Sequence, residues 1–167
     1  MSISLYDISV PVFLRSLSNL VSLLNKAEYQ ANLKGYPSSL LLQSRLYPDM
    51  YELSRQVIRA ADLASQGIAQ LSQHPFTPYT GEIITLPQHI AYVNHAISYL
   101  LSVPPRTLVV NPEQKFPLPP SGEEQYGATG YTLFYLLPNF YFHITTGYNI
   151  LRHNGIEIGK QDYLGKQ

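Results

Sequence analysis

The chain has 167 residues, 11 basic against 11 acidic side chains, and only 13% charged residues. That length carries one domain with a full core, and the even charge without a basic stripe argues against a nucleic-acid partner. With no cysteine, disulfides, thiolate catalysis and Cys-type zinc sites are excluded.

There is no run of about 18 apolar residues, so no membrane span is expected. The start, MSISLYDISVPVF, lacks a basic n-region and a cleavage pattern. A cytoplasmic protein is the expectation. Fourteen tyrosines and no tryptophan are unusual. Tyrosine joins an apolar ring to a polar tip, which suits pockets and interfaces as well as an ordinary surface.

The first helix is read over 8–33, with Phe13, Leu17, Leu20, Leu24, Ala27 and Ala31 as its core stripe. Pro11 fits its first turn, and Gly35-Tyr36-Pro37 stops it. Ser38 to Leu46 reads as short helical turns. Tyr47-Pro48-Asp49 is a helix-start signal, so a second long helix is expected over 48–72. Met50, Leu53, Val57, Ala61, Ala64, Ile68 and Leu71 face its core. Asp49, Gln56 and Ala60 fall on one flank, and Arg55 and Arg59 towards solvent.

His74 to Gly81 is a loop. Thr85-Leu86-Pro87-Gln88 has the capping-box pattern and opens a third helix over 86–102, with Leu86, Ile90, Val93, Ile97 and Leu100 inward. Residues 106–127 are irregular. Leu108-Val109-Val110 and Lys115-Phe116 suggest a small hairpin around Asn111-Pro112, although the prolines at 117, 119 and 120 oppose much strand. A connection of this length is placed to act as a lid.

The most apolar and aromatic stretch runs from Tyr131 to Gly155. Leu133, Leu137, Phe140, Ile144, Gly147 and Leu151 keep helical spacing, so this is the central helix of the bundle. Arg152-His153-Asn154-Gly155 ends it with basic residues and a glycine for the left-handed position. Pro138 either starts the helix or kinks it, freeing a carbonyl near Phe134. The periodicity upstream through Leu133 favours the kink. The tail, 156–167, is read as extended and packed back through Ile156, Ile158, Tyr163 and Leu164. The fold class is an all-α four-helix bundle with a long irregular crossover, in one domain spanning 1–167.

The strings LPNFYFHITTGYNILRHNG and IEIGKQDYLG, with YDISVPVFLRSLSNL and RLYPDMYELSRQV, together resemble an uncharacterised domain-of-unknown-function family of the DinB/YfiT-like four-helix bundles. The resemblance covers nearly the whole chain and is weakest across 106–127. It implies a DinB-like fold and a homodimer. DinB-like proteins often carry a divalent metal on one histidine of the second helix and a His-x-x-x-His pair on the last. Here the last helix has His143, Gly147 stands four residues on, and the second helix has no histidine. His143 and His153 lie ~15 Å apart along one helix, too far to share an ion. No metal and no cofactor are expected. The alternative keeps a divalent ion on His143, Asp49 and His89.

The best candidate for chemistry is His143, expected part-buried at a helix–helix groove. Its unperturbed pKa suits acid/base work near neutrality, and it reads equally as a satisfied core histidine. Asn139, Thr146, Gln56, Tyr135 and His89 are the candidate ligand-binding residues, with Asp49 a second candidate catalytic group. His95 is expected to be solvated and His153 to serve the helix end. No nucleophile elbow, Walker loop, dinucleotide fingerprint or H-E-x-x-H occurs. The leading expectation is a small-molecule-binding bundle for an apolar or aromatic ligand. It leans towards a metal-free enzyme doing dehydration, isomerisation or cyclisation. A non-catalytic ligand carrier and a purely structural dimer are the rivals.

Overall fold

A computed structural model describes residues 3–108, 111, 113–118, 122 and 124–165. The architecture is the expected all-α bundle, built on four long helices. Helix α1, Val10–Lys34, places Pro11 in its first turn, where a missing N–H costs nothing. It ends at Gly35, whose φ of 74° suits the left-handed cap position. A short α2, Ser39–Gln43, follows.

Helix α3, Leu53–Ser72, begins five residues later than the 48–72 reading. The start signal at Pro48-Asp49 is overridden by Arg45. Its guanidinium donates to the carbonyls of Pro48 and Met50 at 3.4 Å and pairs with Glu52 at 2.5 Å, holding 48–52 as a turn. Asp49 is therefore exposed ahead of the helix.

Helix α4, Leu86–Ser102, starts where expected with both halves of the capping box formed between Thr85 and Gln88. The crossover holds one antiparallel pair, β1 (Phe116–Pro117) with β2 (Gln125–Tyr126). Phe116 thus pairs with Tyr126 in place of the hairpin read around Asn111-Pro112. Val109, Val110 and Pro112 of that hairpin lie outside the described residues. The Phe116 ring is buried and stacks on Tyr131, which fastens the crossover to the start of the last helical stretch.

That stretch is continuous from 128 to 153 but changes its winding. Helix α5, Ala128–Gly130, leads into a π-helical turn, Tyr131–Leu136, and then into α6, Leu137–His153. Pro138 sits in the first turn of α6. The wider i→i+5 winding accommodates the ring that a continuous α-helix would exclude, so the helix neither begins at Pro138 nor runs through it unchanged. Asn139 donates its side-chain amide to the Tyr135 carbonyl at 2.9 Å, capping the junction from inside. The π turn also shifts the phase. Leu133, read as core, is 42% exposed, while Tyr131, Thr132 and Leu136 are buried.

In the packed bundle α3 lies between α4 and α6, and α1 packs on α4 with lighter contact to α3 and α6. Phe13 of α1 meets Phe140 of α6 edge to face, with ring centroids 4.7 Å apart. The tail is extended only at first and then forms α7, Lys160–Leu164, against α1. Ile156 and Ile158 are buried, and Leu164 is exposed because its carbonyl makes the contact, accepting from Arg15. No helix among the described residues is long and apolar enough to cross a membrane.

Candidate functional site

The close packing of α3 on α6 brings His143 and Gln56 together, both buried. Gln56 Nε2 donates to the Tyr51 carbonyl at 3.1 Å, which fixes which end of the amide faces which way. Its Oε1 then faces His143 Nδ1 at 2.6 Å and must accept, so Nδ1 carries the proton. Nε2 is left as the free lone pair, with no protein hydrogen-bond partner among the described residues. It is not sealed either. The buried, unpartnered side-chain atom in the described residues is Glu28 Oε2.

Tyr51 lies parallel to the imidazole with ring centroids 6.4 Å apart, and the Arg55 guanidinium lies over the Tyr51 ring, 4.4 Å from its centroid. Burial, and then the positive charge of Arg59, pull the His143 imidazole down to about 4. The ring is therefore neutral at pH 7.

One turn further along α3 a cleft of about 140 Å³ opens between α3 and the π turn. Arg59, Asp62, Gln66 and Gln70 contribute from α3, and Tyr131 and Tyr135 from the π turn. The lining also includes Leu63, Gly67 and Leu136. Gly67 admits the π turn closely, since a Cβ there would meet Leu136 Cδ2 at 2.6 Å. Asp62 Oδ1 accepts from the Tyr92 hydroxyl and from Gln66 Nε2, while Oδ2 stands 3.9 Å from Arg59 Nη1. Tyr131 donates to Gln70 Oε1 at 3.1 Å and stacks on Tyr135. Burial pushes the Tyr131 hydroxyl up to about 12 and raises that of Tyr92, so both remain donors at neutral pH. His143 is not part of this lining. Arg59 is the link, lining the cleft while its charge acts on the imidazole.

The other candidates divide. Tyr135 is half-buried at the cleft. Thr146 is buried one turn beyond His143 and makes no hydrogen bond to it. Asn139 serves its own helix, as described. Asp49 is exposed on the 48–52 turn and makes no hydrogen bond to His143.

His89 is buried and fully used. Its Nδ1 bonds the Thr85 carbonyl at 2.8 Å and its Nε2 the Ser54 hydroxyl at 2.7 Å. Burial lowers its pKa, against the Thr85 bond, and it functions as a packed core histidine. His95, expected in solvent, is half-buried instead. It bonds the Thr77 carbonyl and packs on Phe76 and Tyr79, pinning the 74–81 loop. His153 is exposed in the last turn of α6.

The residues missed from sequence are Arg59, Asp62, Gln66, Gln70 and Tyr131. The four on α3 fall at helical spacing, a signal present in the sequence; of them only Arg59 is assigned a face there, towards solvent.

The donor set does not fit a divalent ion. A closed or catalytic metal site needs three or more clustered ligands. Among the described residues no group of three or more His, Cys, Asp or Glu could hold one. The side chain facing His143 from α3 is the amide of Gln56, whose oxygen accepts the Nδ1–H hydrogen bond.

Comparison with known proteins follows the same lines. The family described as "Domain of unknown function (DUF1993)" matches residues 5–164. A solved structure described as a DinB family member protein from Shewanella denitrificans is 35% identical, with a TM-score of 0.87. The match covers 98% of this chain and 93% of that one. None of the curated proteins matches.

Proposed function

The chain belongs to the DUF1993 family of DinB-like helical bundles, and on that footing we propose that its α3–α6 face binds a small molecule, with His143 as a neutral acid/base beside it. The observation that carries this reading is the state of His143. Its Nδ1–H is committed to Gln56, while Nε2 has no protein partner among the described residues and the ring is uncharged at neutral pH. A buried imidazole kept only for packing has both nitrogens satisfied, as His89 does in the same protein.

The cleft supplies the binding part. Its volume of about 140 Å³ limits an occupant to about one small ring. Its lining is mainly polar, with Arg59, Asp62, Gln66 and Gln70 facing Tyr131 and Tyr135, so recognition there rests on hydrogen bonds and charge more than on apolar burial. A positioned histidine contributes typically about 10²–10⁴-fold to proton transfer when its pKa lies near the working pH. With the ring held at about 4, His143 offers Nε2 as a base or hydrogen-bond acceptor, which suits an isomerisation, dehydration or cyclisation that begins with proton removal from a bound ring.

The second reading is a carrier without chemistry. It is favoured by the absence of His143 from the cleft lining. NMR titration with neutral, cationic and anionic single-ring probes (phenol, benzylamine, benzoate) tests the site itself. Shifts at Tyr135 and at the His143 ring nitrogens that saturate with probe concentration support it. No response to any probe overturns it. Ligand recovered unaltered, at a rate indifferent to His143→Asn, selects the carrier.

A further inference from the structure

The charged groups of the cleft narrow the class of ligand, given the reading of this face as a small-molecule site. Arg59 brings five N–H donors on a planar fork. Within the described residues it makes no hydrogen bond, and its approach to Asp62 is 3.9 Å, too long for one. Asp62 is half satisfied in the same way. Its Oδ1 takes two hydrogen bonds, from Tyr92 and Gln66, and its Oδ2 none. The two side chains form a loose ion pair at 3.9 Å whose hydrogen-bonding capacity, the Arg59 N–H groups and Asp62 Oδ2, is not taken up among the described residues of this small cleft.

A ligand with a carboxylate alone answers Arg59 and meets repulsion from Asp62. A dianion such as phosphate meets more of it. A ligand with an amine alone has the converse problem. One carrying both, on adjacent atoms, answers both poles at their observed spacing.

We propose that the cleft takes a small cyclic carboxylate with an amine or hydroxyl donor next to it. The carboxylate sits on Arg59, the donor on Asp62 Oδ2, and the ring lies along Tyr135 and Leu63. Gln66 strengthens the selection. Its Nε2 is committed to Asp62, so its Oε1 is available as a second acceptor for the donor group. The fork geometry of arginine favours a planar carboxylate, which it grips through two parallel bonds.

The experiment is calorimetric titration of the intact protein with 2-aminobenzoate, benzoate, aniline and inorganic phosphate. The expected result is 2-aminobenzoate binding at least tenfold tighter than benzoate or aniline, with phosphate weakest. In Arg59→Gln, which keeps most of the side-chain volume, 2-aminobenzoate falls to the affinity of aniline. In Asp62→Asn the preference for 2-aminobenzoate over benzoate shrinks. Circular dichroism of each variant confirms the fold, and Arg59→Lys serves as the milder substitution should Arg59→Gln unfold.

Equal affinities for 2-aminobenzoate, benzoate and aniline overturn the ligand class while leaving a site in place, as does phosphate binding as tightly as 2-aminobenzoate. Absence of binding by every probe overturns the class together with the reading of the face on which it rests.

Discussion

His143 on α6 donates its Nδ1–H to Gln56 Oε1 on α3 across 2.6 Å, and Gln56 is itself oriented by the Tyr51 carbonyl. One relay of three residues thereby sets the tautomer of the imidazole. Gln56→Leu removes the acceptor and leaves a buried N–H unsatisfied, which costs about 1–3 kcal/mol. Gln56→Glu places a carboxylate against the ring and favours the imidazolium. The His143 pKa in that variant is expected to rise well above about 4, as read by the ring nitrogen shifts in an NMR titration. An unmoved pKa would show that Gln56 does not face the ring in solution.

Stability should fall on acidification through a window set by His143. The folded pKa is about 4 against an ordinary 6.5. Between those values the unfolded chain binds a proton that the folded chain refuses. The contribution is thus complete above pH 6.5 and lost as the pH falls towards 4, amounting to about 3 kcal/mol at most. His89, lowered by burial, acts in the same direction. Urea midpoints at pH 7.5, 6 and 4.5 should decline less steeply in His143→Asn than in the parent. Identical slopes would contradict the depressed value.

His89 should matter for stability and not for binding. It joins α3 to the start of α4 through Ser54 and Thr85. His89→Ala opens a cavity and leaves the Ser54 hydroxyl without its partner, at a cost of about 2–4 kcal/mol; the Thr85 carbonyl keeps the backbone N–H of residue 89. The melting temperature falls, while affinity for single-ring probes stays within twofold at temperatures where the variant is folded. A large loss of affinity would bring His89 back into the site.

Gly67 and Leu136 form a coupled pair. A methyl group at 67 lands within 2.6 Å of Leu136 Cδ2, and Leu136 is only 1% exposed, so the side chain has little room to yield. Gly67→Ala should cost about 1–3 kcal/mol by overpacking. Combining it with Leu136→Ala should recover part of that loss, a double-mutant coupling of more than about 0.5 kcal/mol. Strict additivity of the two would place the residues apart.

The helices were legible because their apolar stripes are long and regular, and α4 announced itself through Thr85 and Gln88. The winding of the last helical stretch was not. Leu133 keeps the period of the residues after it, yet a π turn carries it outward, and Pro138 was the visible hint that the register changes. The start of α3 was misplaced because Pro48-Asp49 is a sound local signal. What overrides it is Arg45, whose long side chain reaches Pro48, Met50 and Glu52, a local contact that helix-start signals do not encode. Arg59, Asp62, Gln66 and Gln70 form a stripe whose pattern is the same whether it faces water or a cleft. The fate of His89 depended on Ser54, 35 positions away, and nothing local distinguishes a satisfied imidazole from an available one.

The fastening of the tail to α1 has a consequence for biosynthesis. Arg15 and Asn19 receive the carbonyls of Leu164 and Tyr163, Gln30 grips the backbone of Glu157, and Lys34 holds the carbonyl of Gly155. The Arg15 contact joins positions 149 apart. During translation the first helix emerges early, at ~5–20 residues per second for the chain as a whole, and waits with that polar edge unmatched until residues 155–164 have cleared the ribosome exit tunnel. Because Glu157 and Leu164 are gripped through their backbone, replacing their side chains should disturb the junction less than replacing Arg15 or Gln30, whereas Ile156 and Ile158 are fixed by burial.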